Sequence, residues 1–143
     1  MLFRSFGAPM GYLAATGRID AAWALIYLAA ILWDLGFDTI YGFQDMEDDA
    51  VVGIRSTSRL MEAVPKRFVG ACYAGTAAML VAAGWATGAG AWGIVAAIPA
   101  AALLAAQIVR LDPHDPRRCL ALFRLNRETG LAIALAIAVG RFA

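Results

Sequence analysis

Charge is scarce in this chain of 143 residues: 16% of positions are Asp, Glu, Lys or Arg and 62% are apolar, where an ordinary soluble domain carries roughly 25% charged residues. That scarcity, with a mean hydropathy of +0.67, excludes a soluble domain and indicates an all-α integral membrane protein in a lipid bilayer. No soluble second domain is visible, so 1–143 is read as a single transmembrane helical region. Cysteine is rare too. Cys72 and Cys119 are the two present; neither has the CxxC or Cys/His spacing of a zinc site, and both are read as structural. The one histidine, His114, lies in a basic loop between prolines and is read as a plain loop residue. The opening residues lack the basic start, apolar core and small-residue cleavage site of a signal peptide. Charges are segregated into short stretches, the net charge is +1, and no nucleic-acid partner is expected.

What is abundant is apolar helix. A bilayer core needs about 20 residues of helix, and Ala21–Tyr41, Phe68–Thr87 and Trp92–Ile108 qualify or nearly so. Phe6–Ala15 and Leu131–Phe142, the latter extendable through Glu128, are shorter candidates, giving five helices with the first incomplete. Gly-rich breaks at Thr16-Gly17-Arg18 and Ala86–Gly90 mark turns. Pro99 falls inside the fourth run and predicts a kink. Gly70, Ala71, Ala74, Gly75 and Ala78 recur at three- and four-residue intervals and predict a close-packing stripe. The stretches Asp45–Arg67 and Arg110–Arg127 hold most of the basic residues. Two spans separate them, so they share one side, which the positive-inside rule makes the cytoplasm.

Against this background six acidic residues, Asp34, Asp38, Asp45, Glu47, Asp48 and Asp49, sit at and beyond the end of the second apolar run. A carboxylate in hydrocarbon costs roughly 2.5–3.5 kcal/mol even on insertion scales, so such a cluster points to a cation or charged ligand. On an unbroken helix, Asp34, Asp38, Asp45 and Asp49 fall within an arc of roughly 60° flanked by Tyr41 and Asp48; Gly42 leaves room for a break. Carboxylates one turn apart repel unless a hard cation intervenes. Mg²⁺ keeps several waters and uses one or two carboxylates plus phosphate oxygens, which makes Asp45 and Asp49 suited to a metal-diphosphate. Arg55, Ser56 and Thr57 follow as donors for phosphate oxygens. A solvated loop accounts for the same run, and Asp34 is equally readable as a protonated packing residue.

Asp38-Thr39-Ile40-Tyr41, Gln44-Asp45-Met46-Glu47-Asp48-Asp49 and Gly53-Ile54-Arg55-Ser56-Thr57 together resemble the second aspartate-rich motif of the UbiA-type membrane prenyltransferases. Cys119, Phe123, Asn126 and Gly130 look like that family's loop and last helix. The resemblance implies that Asp45, Asp49 and Asp48 serve the metal Mg²⁺. It also implies that Arg55, Ser56 and Thr57 hold the diphosphate of a polyprenyl diphosphate, and that Asp38 and Tyr41 stand near the reacting centre. Within the family the combined context is nearest to members that prenylate 4-hydroxybenzoate in ubiquinone biosynthesis; another aromatic acceptor, or haem, is the alternative in that class. Arg55 stands where the family usually has lysine, and Asp34 where an uncharged residue is commoner. The family's first aspartate motif has no counterpart here, and nothing before Arg18 is acidic. The resemblance therefore implies the C-terminal part of a bundle of about nine helices, with Met1 an internal start and an N-terminal half missing. Outside that class stand a catalytically incomplete fragment or subunit, and an ion or proton pathway built on Asp34 and Asp38.

Overall fold

In a computed structural model of the chain, residues 4–53, 55–88, 95 and 97–142 are described, together with the side chains among them except those of 4, 47, 48 and 136–142. The described residues form helices and turns and no strand. After a 3₁₀ turn, Arg4–Phe6, the helices are α1 (Gly7–Thr16), α2 (Ala21–Gly42), α3 (Met46–Val52), α4 (Thr57–Leu60), α5 (Pro65–Ala86), α6 (Ile98–Arg110) and α7 (Pro116–Phe142).

α2 begins sharply because Asp20 caps it: its carboxylate accepts from the Trp23 N–H at 3.0 Å, and that bond holds its pKa below the usual carboxylate range. α2 and α5 are each 22 residues long and apolar enough to cross a bilayer, and α6 is a shorter apolar helix. α1, at ten residues, spans only about 15 Å. It lies along the first half of α2, where Phe6 packs edge-on against Tyr27 with ring centroids 5.2 Å apart. The expected last span is the end of a continuous 27-residue helix, α7. Part of the Trp92–Ile108 run lies outside the described residues.

Pro99 stands in the first turn of α6, where its missing N–H has no intrahelical acceptor to lose; the kink expected there falls on a run that lies partly outside the described residues. Two local expectations are corrected. The stretch expected as a loop up to Arg127 is loop only over 111–115, because α7 starts at Pro116. The small-residue stripe of α5 is half right. Gly75 meets Leu32, but Ala71, Ala74 and Ala78 are exposed, and α5 instead buries Val69, Cys72, Tyr73 and Thr76.

α2 packs most extensively against α5, and contacts between α5 and α6, α6 and α7, and α7 and α2 close a ring of four helices. The core formed by Ile40, Phe43, Val69, Cys72, Tyr73, Leu104, Leu111, Cys119 and Leu122 draws on the end of α2, the start of α5, the end of α6 and the start of α7. It therefore lies at one end of the ring, beneath the 43–64 and 111–115 connections. Lys66 Nζ donates to Val109 O at 3.1 Å, which puts both basic stretches at that same end. Both cysteines are free and buried. Cys119 Sγ faces Asp112 O at 3.1 Å, and burial pushes its thiol up to about 11, so it stays a neutral packing group at pH 7.

Close helix approach depends on glycine. A Cβ at Gly36 would stand 2.6 Å from Tyr73 Cε1 and 3.4 Å from Cys72 Cβ, whereas Gly11 has nothing within 4 Å. Gly36→Val is therefore expected to destabilise the chain by about 1–3 kcal/mol through overpacking, with Gly11→Ala neutral or slightly stabilising. Unfolding in detergent micelles measures this; equal stability of the two variants would contradict the α2–α5 packing.

Candidate functional site

The 43–64 connection folds back over the end of the ring instead of extending α2. Phe43 is 2% exposed and turns into the core, and the Gln44 N–H closes a turn onto Tyr41 O at 3.0 Å. α3 follows, with Asp45 at its N-cap and the Asp49 N–H donating to Asp45 O at 2.8 Å. It stops at Gly53, whose φ of 77° is a left-handed conformation that glycine adopts without steric cost. The chain then returns through Arg55 and Ser56 into α4, whose Ser58 is buried against Gly42; a side chain at position 42 would collide with Ser58 Oγ. Arg59 ties the two short helices together by donating from Nη1 to Asp49 O at 3.4 Å.

The unbroken acidic helix from Asp34 to Asp49 is thus corrected. α2 ends at Gly42 because burial of Phe43 and the seat of Ser58 demand a sharp change of direction there. Asp34 and Asp38 remain on α2, while Asp45 and Asp49 belong to α3. Asp34 is 8% exposed and accepts a hydrogen bond from Ser5 Oγ, which accounts for it as a packing residue. Asp38 is partly buried, one turn before the helix end. Tyr41 is 41% exposed. Asp45 is exposed and makes no side-chain capping bond, and Asp49 is half-buried. Arg55 is exposed, and Ser56 and Thr57 are half-buried. Asp48 lies in α3, with its side chain outside the described set, and Ile54 lies outside the described residues.

Two arrangements were not legible in the motif. The first is an aromatic wall: Phe123 of α7 packs against Tyr41 at 4.8 Å and Phe37 at 5.7 Å, and Phe37 against Trp33 at 5.8 Å. It extends Tyr41 into an apolar, π-rich surface running from the site end into the ring. The second is a buried hydrogen-bond network across all four long helices. Tyr73 OH donates to Gln107 Oε1 at 2.6 Å, while Gln107 Nε2 donates to Thr129 Oγ1 at 3.1 Å and Asn126 Oδ1 at 3.3 Å. Trp33 Nε1 also donates to Asn126 Oδ1, at 3.1 Å. The sequence signal was a lone glutamine in an apolar run.

The donor set suits a hard cation. Asp45 and Asp49 stand one helical turn apart, all-oxygen, with the Asp45 carboxylate uncommitted to capping. Among the described residues no group of three or more His, Cys, Asp or Glu gathers.

Residues 1–137 match the model of the UbiA prenyltransferase family, and the chain belongs to that family of membrane proteins. The 4-hydroxybenzoate octaprenyltransferase of Azotobacter vinelandii is 32% identical over 133 residues, which are 93% of this chain and 45% of that protein. The mitochondrial 4-hydroxybenzoate polyprenyltransferase of Mus musculus is 33% identical over 137 residues, 95% of this chain and 37% of that protein. The octaprenyltransferase of Aromatoleum aromaticum is 31% identical over 134 residues, 94% and 46% respectively. The chain therefore spans less than half the length of these relatives. No solved structure matches it.

Gln107 is the hub of the network and is 0% exposed. Gln107→Leu should lower stability by about 1–3 kcal/mol, because it strands the Tyr73 hydroxyl. Adding Tyr73→Phe should recover part of the loss. Additive losses in this double-mutant cycle, read by unfolding in micelles, would contradict the coupling.

Proposed function

We propose that the chain supplies one side of the site of an enzyme that transfers a polyprenyl group from polyprenyl diphosphate to the ring of 4-hydroxybenzoate, the reaction its relatives are named for. The observation that carries this reading is the seating of α4 on the end of α2, where Ser58 is buried against Gly42 and Arg59 Nη1 donates to the Asp49 carbonyl of α3 at 3.4 Å. The motif residues that precede α4 therefore belong to the same end of the four-helix ring as α3.

Asp45 and Asp49, with Asp48, would hold Mg²⁺, which when bound supplies Lewis acidity to the leaving diphosphate. Arg55 offers charge-assisted donors, and Ser56 and Thr57 hydroxyl donors, to the remaining phosphate oxygens. These contacts gain strength as the allylic C–O bond breaks and negative charge gathers on the diphosphate. The wall of Tyr41, Phe37 and Phe123 gives the prenyl cation and the aromatic acceptor a dry surface, with π faces toward developing positive charge. Attack by the ring carbon forms the new C–C bond, and loss of the ring proton restores aromaticity; we assign that proton to Asp38, which stands one turn before the end of α2. The apolar helices set the prenyl tail in or beside lipid.

On this reading the site end, where the basic stretches gather, faces the cytoplasm, as the positive-inside rule supports, and the membrane is a bacterial inner membrane.

In a protein carrying the complete family domain, Asp45→Ala and Asp49→Ala are each expected to reduce transfer by at least about 100-fold. Chelation with EDTA should have the same effect, reversed by added Mg²⁺. Radiolabelled prenyl transfer in membranes checks this, and full activity in either variant would reject the assignment.

A further inference from the structure

A second basic site lies away from the 43–64 segment. Between the end of α6 and the start of α7 an open groove of about 460 Å³ is lined by Arg110, Arg118, Ala121, Leu122 and Leu125, and by no residue of that segment. Its wall follows from helix geometry: positions 118, 121, 122 and 125 recur at three- and four-residue steps and so share one face of α7. Arg118 stands at the loop end of that face, and the small and apolar residues follow it along the axis. Leu122 is buried and forms the floor, while Ala121 and Arg118 are exposed.

The charges around the mouth favour an anion. Arg110 ends α6, and Lys66 is anchored one residue away on Val109 O at 3.1 Å. Arg117 and Arg118 open α7. Facing them are Asp112 and Asp115, which approach Arg118 at 3.9 and 3.5 Å, and these ion pairs are about half exposed. Exposed pairs of that kind contribute little and exchange readily for a better partner. The groove lining itself holds two cations, Arg110 and Arg118, and no carboxylate, at the level where the apolar helix α6 ends.

We propose that this groove binds an anionic phospholipid, its phosphate between Arg110 and Arg118 and an acyl chain along Ala121, Leu122 and Leu125. Basic grooves between membrane helices at the cytoplasmic end take phosphate headgroups in this way, and the order of charge then apolar surface along α7 matches a lipid's head and tail. The site is separate from the diphosphate site and independent of the activity proposed above.

Native mass spectrometry of the purified chain in neutral detergent, titrated with phosphatidylglycerol or phosphatidylcholine, tests it. The expected result is preferential retention of phosphatidylglycerol, weakened about fivefold by Arg110→Gln or Arg118→Gln and about 25-fold by both together. The Arg110→Lys/Arg118→Lys double variant, which keeps the charge, should retain the lipid within a few-fold, and this guards against a folding defect in the glutamine variants. Arg55→Gln should leave lipid binding unchanged, and geranylgeranyl diphosphate should not displace the phospholipid. Equal retention of phosphatidylcholine, unchanged binding in the double glutamine variant, loss in the double lysine variant, or displacement by the prenyl diphosphate would each overturn the proposal.

Discussion

Gln107 is the residue on which the arrangement of this chain turns. Inside a helix that is otherwise apolar, its carbonyl accepts from Tyr73 and its amide donates to Thr129 and Asn126, and Asn126 in turn receives the Trp33 indole. Helices in lipid have little hydrophobic reason to prefer one partner over another, because hydrocarbon solvates a leucine as well as a neighbour does. Interhelical hydrogen bonds and close packing decide the register instead, each bond contributing about 0.6 kcal/mol and at most about 1.7. Four such bonds at one level lock α2, α5, α6 and α7 together, and leaving any member unpaired costs more than the bond itself contributes. The Gly36–Tyr73, Gly75–Leu32 and Gly130–Trp33 approaches are the packing half of the same constraint. Trp33 and Tyr73 take part in both.

From that level the site end follows. With α7 held against α2, Phe123 meets Tyr41 and Phe37, and the aromatic wall rises from the network toward the 43–64 connection. Directly beneath the connection, Phe43 and Ile40 join the core. The chain can leave the helix axis at Gly42 because Ser58 is seated there, and it is this departure that separates Asp45 and Asp49 from the buried carboxylates of α2. Asp45, exposed, and Asp49, half-buried, then stand on α3 at the end of the ring, while Asp34 is held inside by Ser5.

The sequence disclosed the long apolar helices α2 and α5 and the shared end of the basic stretches. Those features rest on composition and local spacing, which a single chain displays directly. It did not disclose where α2 ends, because helical periodicity carries on through Gly42 and only the burial of Phe43 and the return of Ser58 interrupt it. The stripe in α5 misled for a related reason: small residues permit close approach on whichever face a neighbour takes, and the face was chosen by Tyr73 and Thr76 reaching into the ring. α7 was read as loop over its first turns because Arg117, Arg118, Arg124 and Arg127 mask a helix whose inner face carries Cys119, Leu122 and Asn126. Gln107, unremarkable in composition, acquired meaning only when its partners from three other helices stood around it.

In the proposed enzyme the folded-back connection presents carboxylates and phosphate donors as one unit. If so, metal and diphosphate must strengthen each other's binding, and by the same factor in both directions. Electron paramagnetic resonance of Mn²⁺, standing in for Mg²⁺, titrated into the chain with and without a non-reactive prenyl thiodiphosphate measures this coupling. Weak Mn²⁺ binding is expected alone and at least about tenfold tighter binding with the thiodiphosphate, with the gain abolished when Asp45 and Asp49 are both replaced by Asn. Mn²⁺ affinity that is indifferent to the thiodiphosphate, or a gain that survives those substitutions, would contradict that arrangement.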